Sequence, residues 1–335
     1  MNGTRSPLVA GSRLAIAALT FGTLLPLSNW AQERLTPTTS VESTCGLPAP
    51  KSDSAQNTLA ACDAQHIATL VASGRAYRQN QQGIESALVL GPGRSITDAR
   101  KWFEKAARNG YAPAQMNLAI LYLNGWGTQQ NYGTALYWLK AAAEQHNARA
   151  YSNLGILYLK GWGVRQDYTE ALRYSRLAAE AGETGAMVNL GYMYDGGLGI
   201  PLDHAVAAEW YRNAAERGDP LGQNNLADLY LRGEGVAQSD ELALTWFKKA
   251  AAHGNTGARI KLGYMYANGR AIPKDPETAY TWILAASMAG DQRGQEFLRL
   301  LEPQLSAEQL AHARKRAADL QASPQLASVE TAFVR

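Results

Sequence analysis

The stretch Leu118-Ala119-Ile120-Leu121-Tyr122-Leu123-Asn124-Gly125-Trp126-Gly127 returns every 36 residues, and this recurrence constrains the fold more than any other feature of the chain. One step on stand Leu154, Gly155, Tyr158, Gly161 and Gly163; further steps reach Leu190, Tyr194, Gly197 and Gly199, then Leu226, Tyr230, Gly233 and Gly235. The last step gives Leu262, Tyr266 and Gly269, with Ala271 in place of the second glycine. Ala135, Ala171, Ala207, Ala243 and Ala279 keep the same period, as do Trp138, Tyr174, Trp210, Trp246 and Trp282. A fixed period of this length is the mark of a solenoid, in which each unit packs on its neighbours and added length means added units.

Each unit reads as two helices. Ala114, Leu118, Leu121 and Tyr122 share one face at helical spacing, and Gly125 stands where a C′ residue takes positive φ. Only small residues occupy the column Ala119, Gly155, Gly191, Ala227 and Gly263, which predicts a close neighbouring helix. Ser95, Asn131, Asp167, Asp203, Ser239 and Asp275 are all N-cap types and open the second helices. Asp167 with Glu170, and Ser306 with Gln309, have capping-box spacing. The predicted fold is all-α: an α/α superhelical solenoid of 36-residue two-helix repeats.

The predicted boundaries follow. Residues 61–320 form the solenoid, with a degenerate unit over 61–110, five full repeats over 111–290 and capping helices over 291–320; residues 321–335 are a frayed tail. The degenerate unit lacks the Leu-Gly-x-x-Tyr signature in its first half. Residues 1–31 read as an export signal: Arg5 and Arg13 precede an apolar run from Leu14 to Leu27, which breaks at Ser28-Asn29-Trp30-Ala31. An uncleaved anchor is the alternative, and the only membrane association expected. Residues 32–60 read as a flexible linker. Cys45 and Cys62 are the only cysteines, a candidate disulfide in an oxidising compartment or else two free thiols.

The units resemble the Sel-one-like repeat, a relative of the tetratricopeptide repeat, most closely over Ala150 to Gly182. That resemblance implies a superhelix that mediates protein–protein contacts, and bacterial members that are often exported adaptors in envelope assembly, signalling or host contact. One secreted branch, linked to penicillin-type compounds, carries a cysteine pair in each repeat; the repeats here contain none.

Chemistry is not predicted. His66, His146, His204, His253 and His312 show no ligand spacing and read as surface positions beside turns, so no metal and no cofactor are expected. No nucleophile, base and orienter assemble in the sequence. A formal net charge of +3 and a densest basic cluster of only Arg314-Lys315-Arg316 argue against a nucleic-acid partner. The expected function is an exported, non-catalytic scaffold, periplasmic or secreted, whose partner is a protein or peptide segment. The alternatives are a secreted factor binding a host protein and, last, an enzyme acting on cell-wall material or β-lactams.

By analogy with the tetratricopeptide groove, the concave face is expected to carry Asn117, Ile120, Asn153, Ile156, Asn189, Tyr192, Asn225, Asp228, Lys261 and Tyr264. The asparagine ladder offers donors and acceptors for an extended peptide, or else bonds the adjacent repeat as part of the scaffold. Tyr192, Asp228 and Tyr264 vary between repeats and have no evident packing duty. Trp126 and Trp162 stand between glycines in a column that also holds Leu198, Glu234 and Arg270. Tolerance of Glu and Arg predicts exposure there, hence a hot spot for a partner or glycan, or a cover for the loop.

Overall fold

The structure is a computed structural model and describes residues 72–87 and 95–322. The expected signal (1–31), the linker (32–60), Cys45, Cys62 and the tail beyond residue 322 lie outside the described residues. Among the described residues every regular element is a helix, and none is long and apolar enough to cross a membrane.

Helix α1 covers 72–87 and α2 runs Ile96–Arg108. The first helices of the five full repeats follow as α3 (Ala112–Asn124), α5 (Ala148–Lys160), α7 (Thr184–Gly196), α9 (Pro220–Arg232) and α11 (Thr256–Asn268). They alternate with the second helices α4 (Tyr132–Ala143), α6 (Tyr168–Glu180), α8 (His204–Glu216), α10 (Asp240–Ala252) and α12 (Pro276–Met288). Two more, α13 (Gln295–Leu301) and α14 (Ala307–Ala322), close the stack. From α2 to α13 each helix packs on the next in sequence, α14 packs on α12, and α5 touches α7 as α7 touches α9, so the first helices line one side of the superhelix.

Local chemistry explains each unit. The side chains of Ser95, Asn131, Asp167, Asp203, Ser239 and Asp275 all accept from backbone N–H groups in the first turn of the helix that follows. Each such cap contributes on the order of 1 kcal/mol. The cap residue's own N–H donates back across the turn: Asn131 to Tyr122 O at 2.8 Å, Asp167 to Tyr158 O and Asp203 to Tyr194 O at 3.0 Å. This bond corrects one reading. Glu170 does not reach back to the Asp167 N–H, which is already satisfied, and turns instead to Arg173 at 2.7 Å. At Ser306 and Gln309 the box does close, with Ser306 N donating to Gln309 Oε1 at 2.9 Å and Gln309 N to Ser306 Oγ at 3.1 Å.

The column of small residues faces the second helix of its own repeat. A Cβ at Gly191 would stand 2.5 Å from the Tyr211 ring, and one at Gly155 2.7 Å from Ser175 Oγ. Gly83 in α1 repeats the arrangement, since a Cβ there would meet the Phe103 ring at 2.5 Å. Ser95 N also donates to Ser86 O at 3.1 Å, in register with the tyrosine carbonyls downstream. The first unit therefore keeps the repeat geometry through α1, although Gln82 and Ser86 replace the leucine and tyrosine of the signature.

Leu118, Leu154, Leu190, Leu226 and Leu262 are fully buried, each burial stabilising by roughly 1.5–3 kcal/mol. Neighbouring repeats are also tied by polar contacts: Thr184 Oγ1 donates to Asp219 Oδ2, and Thr256 Oγ1 to Asp291 Oδ2, both at 2.8 Å. At the C-terminal end the buried Arg259 guanidinium donates to the carbonyls of Ala251 (3.4 Å), Ala285 (3.4 Å) and Leu320 (3.5 Å). Three carbonyl dipoles compensate a charge that would otherwise be costly to bury, and they hold α14 over the last repeat.

Candidate functional site

The expected groove residues on the first helices fall into two groups. Toward the N-terminus the expected groove residues are buried against the preceding unit. Asn117 is buried and its Nδ2 donates to Asn80 Oδ1 at 3.1 Å, across the junction with the preceding unit. Ile120 is 5% exposed. Asn153 is buried, donating to Arg149 O at 2.8 Å with Nδ2 3.8 Å from Met116 Sδ of the preceding repeat. These side chains form a seam between helices.

Further along, the expected groove residues are less buried. Ile156, Asn189, Tyr192, Asn225, Asp228, Lys261 and Tyr264 are all partly exposed. The amides do not form a continuous row: Asn225 Oδ1 accepts from Asn224 Nδ2 at 3.2 Å, and Asn189 Nδ2 is buried without a hydrogen-bond partner. Lys160 Nζ lies 5.3 Å from the centre of the Tyr192 ring, a cation–π arrangement. Burial, with smaller contributions from Tyr168 and Asp195, pushes the Tyr192 phenol above its ordinary pKa. The expectation that Asp228 and Tyr264 lack packing duty is corrected. Asp228 Oδ1 accepts from Lys261 Nζ at 2.9 Å, linking α9 to α11, and Tyr264 sets its ring edge-on to Phe297 of α13 at 4.6 Å. The two contacts occupy equivalent positions in successive units, each joining a first helix to the next one along, and depend on how the units pack.

The tryptophan column is a junction rather than a free rim. Trp162 stacks on Tyr132, the first residue of α4, with centroids 5.4 Å apart and 22° between planes. Leu198 and Tyr168 pack against one apolar cluster, Arg270 Nε bonds Asp240 Oδ2 at 2.6 Å, and Glu234 lies 4.0 Å from His204 Nε2. Trp126 packs against the first core cluster, with Gly127 beside Ile96. Glu and Arg are accepted in this column because the opposing residue changes with them, not because it faces open solvent.

One of these junctions gathers chemistry the sequence reading missed. His204, expected as a surface residue beside a turn, is partly buried, with Nδ1 2.8 Å from Asp195 Oδ1. Asp195, His204 and Glu234 each offer one atom able to ligate a metal, all within 4.8 Å of one another. Arg232 pairs with both carboxylates, at 3.8 Å from Asp195 and in direct contact with Glu234. Their separations of 9 and 30 residues match no motif. Aligning the repeats gives the available signal, since Asp195, His204 and Glu234 replace Leu159, Tyr168 and Leu198 of the preceding junction.

A family model for the Sel1 repeat matches residues 90–111, 112–147, 148–183, 184–219, 220–255 and 257–291. Among solved structures the chain is similar to c5321, a protective antigen present in uropathogenic Escherichia coli strains and displaying an SLR fold. The two are 32% identical with a TM-score of 0.56, over 73% of this chain and 54% of that one. It is also similar to a Sel1 repeat protein from Oxalobacter formigenes, at 33% identity and a TM-score of 0.60, over 64% of this chain and 88% of the other. The chain thus spans about half the length of the first of these relatives. No curated protein matches it.

Proposed function

Because this chain belongs to the Sel1 repeat family, whose members are generally protein–protein interaction scaffolds and typically not enzymes, we propose that it is an exported adaptor for a protein segment. The segment docks on the C-terminal half of the concave face, between Asn189 and Tyr264. The observation that carries this reading is the contrast along that face. Asn117, Ile120 and Asn153 are buried, whereas Tyr192, Asn225, Lys261 and Tyr264 remain partly exposed, and the Asn189 amide nitrogen has no hydrogen-bond partner. A tyrosine with a raised phenol pKa stays neutral and offers both an apolar ring and a hydroxyl, a combination common at binding hot spots. Asn189 and Asn225 add amides suited to the backbone of an extended segment.

The test uses the full chain as bait against envelope extracts, beside a Tyr192→Ala variant with unchanged far-UV circular dichroism. Tyr192 is chosen because its polar contact to the preceding repeat is the 5.3 Å approach of Lys160, whereas Tyr264 packs its ring edge-on against Phe297. Loss of a partner retained by the wild type supports the site. Equal retention by both, with loss in a folded Trp162→Ala variant, moves binding to the tryptophan column.

Export rests on Arg5, Arg13 and the apolar run from Leu14 to Leu27, and places the adaptor in a bacterial envelope. A second reading, a secreted factor that binds a host protein, is favoured by the likeness to a protective antigen of uropathogenic strains. Fractionation separates the two: periplasmic protein beginning near residue 32 supports the adaptor, and accumulation in culture supernatant supports the secreted factor.

A further inference from the structure

We infer that Asp195, His204 and Glu234 form a binding site for a late first-row divalent metal ion, with zinc as the probe. The inference is independent of the adaptor reading. The three residues come from separate elements. Asp195 lies in the last turn of α7, His204 opens α8, and Glu234 follows α9 in the next repeat. The repeats themselves provide the comparison. At the two preceding junctions the same three positions hold Leu123, Tyr132 and Trp162, then Leu159, Tyr168 and Leu198. The Tyr132–Trp162 stack shows that apolar contact suffices to join units there. At the following junction they hold Leu231, Asp240 and Arg270, a simple ion pair beside a leucine. Only between the third and fourth repeats do all three become metal-ligating types.

The donor set selects the metal. Two carboxylates and one imidazole suit zinc and its neighbours, whereas calcium and magnesium favour all-oxygen shells. Three protein ligands leave a fourth tetrahedral position for water or for a partner's donor. Zinc–ligand bonds of about 2.0–2.2 Å place ligand atoms roughly 3.4 Å apart. The present spread of up to 4.8 Å therefore closes by small side-chain rotations. Arg232 marks the place where positive charge is already drawn. Its guanidinium pairs with both carboxylates, and its side chain is 45% exposed, so a dication can displace it toward solvent. Bound metal would join α7 and α8 to the loop of the next repeat and stiffen the middle of the superhelix.

The test is calorimetric titration of the untagged full chain with zinc chloride, carrying Cys45→Ser and Cys62→Ser so that no thiol competes. Calcium chloride serves as the control. The expected result is one saturable equivalent of zinc, an affinity at least about tenfold weaker in His204→Ala and in the near-isosteric Glu234→Gln, and little response to calcium. Zinc should also raise the melting temperature of the parent chain and leave that of His204→Ala unchanged. The assignment is overturned by no saturable zinc binding, by parental affinity in folded Glu234→Gln and His204→Ala, or by calcium binding as tightly as zinc.

Discussion

Positions 235 and 271 are equivalent in successive repeats and carry opposite residues at the same backbone conformation. Gly235 has φ +68° and Ala271 φ +56°. A side chain in this left-handed region costs about 1–2 kcal/mol, while alanine gains about 0.4–1 kcal/mol over glycine by restricting the unfolded chain. Ala271→Gly should therefore stabilise by about 0.5–1 kcal/mol. Gly235→Ala incurs the same net backbone cost and adds a collision. A Cβ there would overlap the His204 carbonyl and lie 2.5 Å from Ala205 N. These are backbone atoms in the first turn of α8 and cannot rotate aside, so overpacking adds about 1–3 kcal/mol, and the total loss is about 2–4 kcal/mol. Urea unfolding followed by circular dichroism measures both, provided the slope of free energy against urea is unchanged between variants. A destabilising Ala271→Gly, or a Gly235→Ala whose loss is no larger than the Ala271→Gly gain, refutes the reasoning.

Four further outcomes follow from the structure. Asp219 is 4% exposed, caps α9 through Leu221 N and Gly222 N, and accepts from Thr184. Asp219→Ala should cost about 2–4 kcal/mol in urea unfolding, the sum of a lost cap and a buried hydroxyl left without its acceptor. Trp162→Ala removes the stack on Tyr132 and should lower stability by about 1–3 kcal/mol in the same assay; no change would mean that Trp162 does not support the junction. Arg259→Ala cuts the bonds to Ala285 and Leu320, so limited proteolysis should cleave within α14 well before the wild type is cut there. The hydrogen bond from Arg293, opposed by burial and aided by Thr256, holds the Asp291 carboxyl below its ordinary pKa. Because the folded pKa is depressed, the stabilisation is present above about pH 4 and is lost as pH falls through the folded pKa. Asp291→Asn should accordingly lose less stability than the wild type as pH falls below about 4.

What was legible in the sequence and what was not divides by the range of the interaction. Ser95 to Asp275 are recognisable as caps because a cap acts within three residues, and the small column ending at Gly263 is recognisable because its partner repeats with it. The asparagine column shows the limit. Asn117, Asn153, Asn189 and Asn225 are identical in register, yet two are buried in a seam and two are partly exposed. That outcome depends on the side chains the preceding unit sets against each asparagine, Asn80 at Asn117 and Met116 at Asn153, which no single repeat encodes.

The sequence by itself determined the 36-residue unit, its two helices and their caps, and hence an all-α solenoid. Periodicity and capping are local effects, and local effects survive in a linear string. Only the tertiary structure decided that Trp162 meets Tyr132, that Lys261 meets Asp228, and that Asp195, His204 and Glu234 come together. Apart from the Asp195–His204 pair, which closes within one repeat, those contacts join different columns of neighbouring units at offsets of about 30 residues or more, and the angle at which one repeat packs on the next selects them.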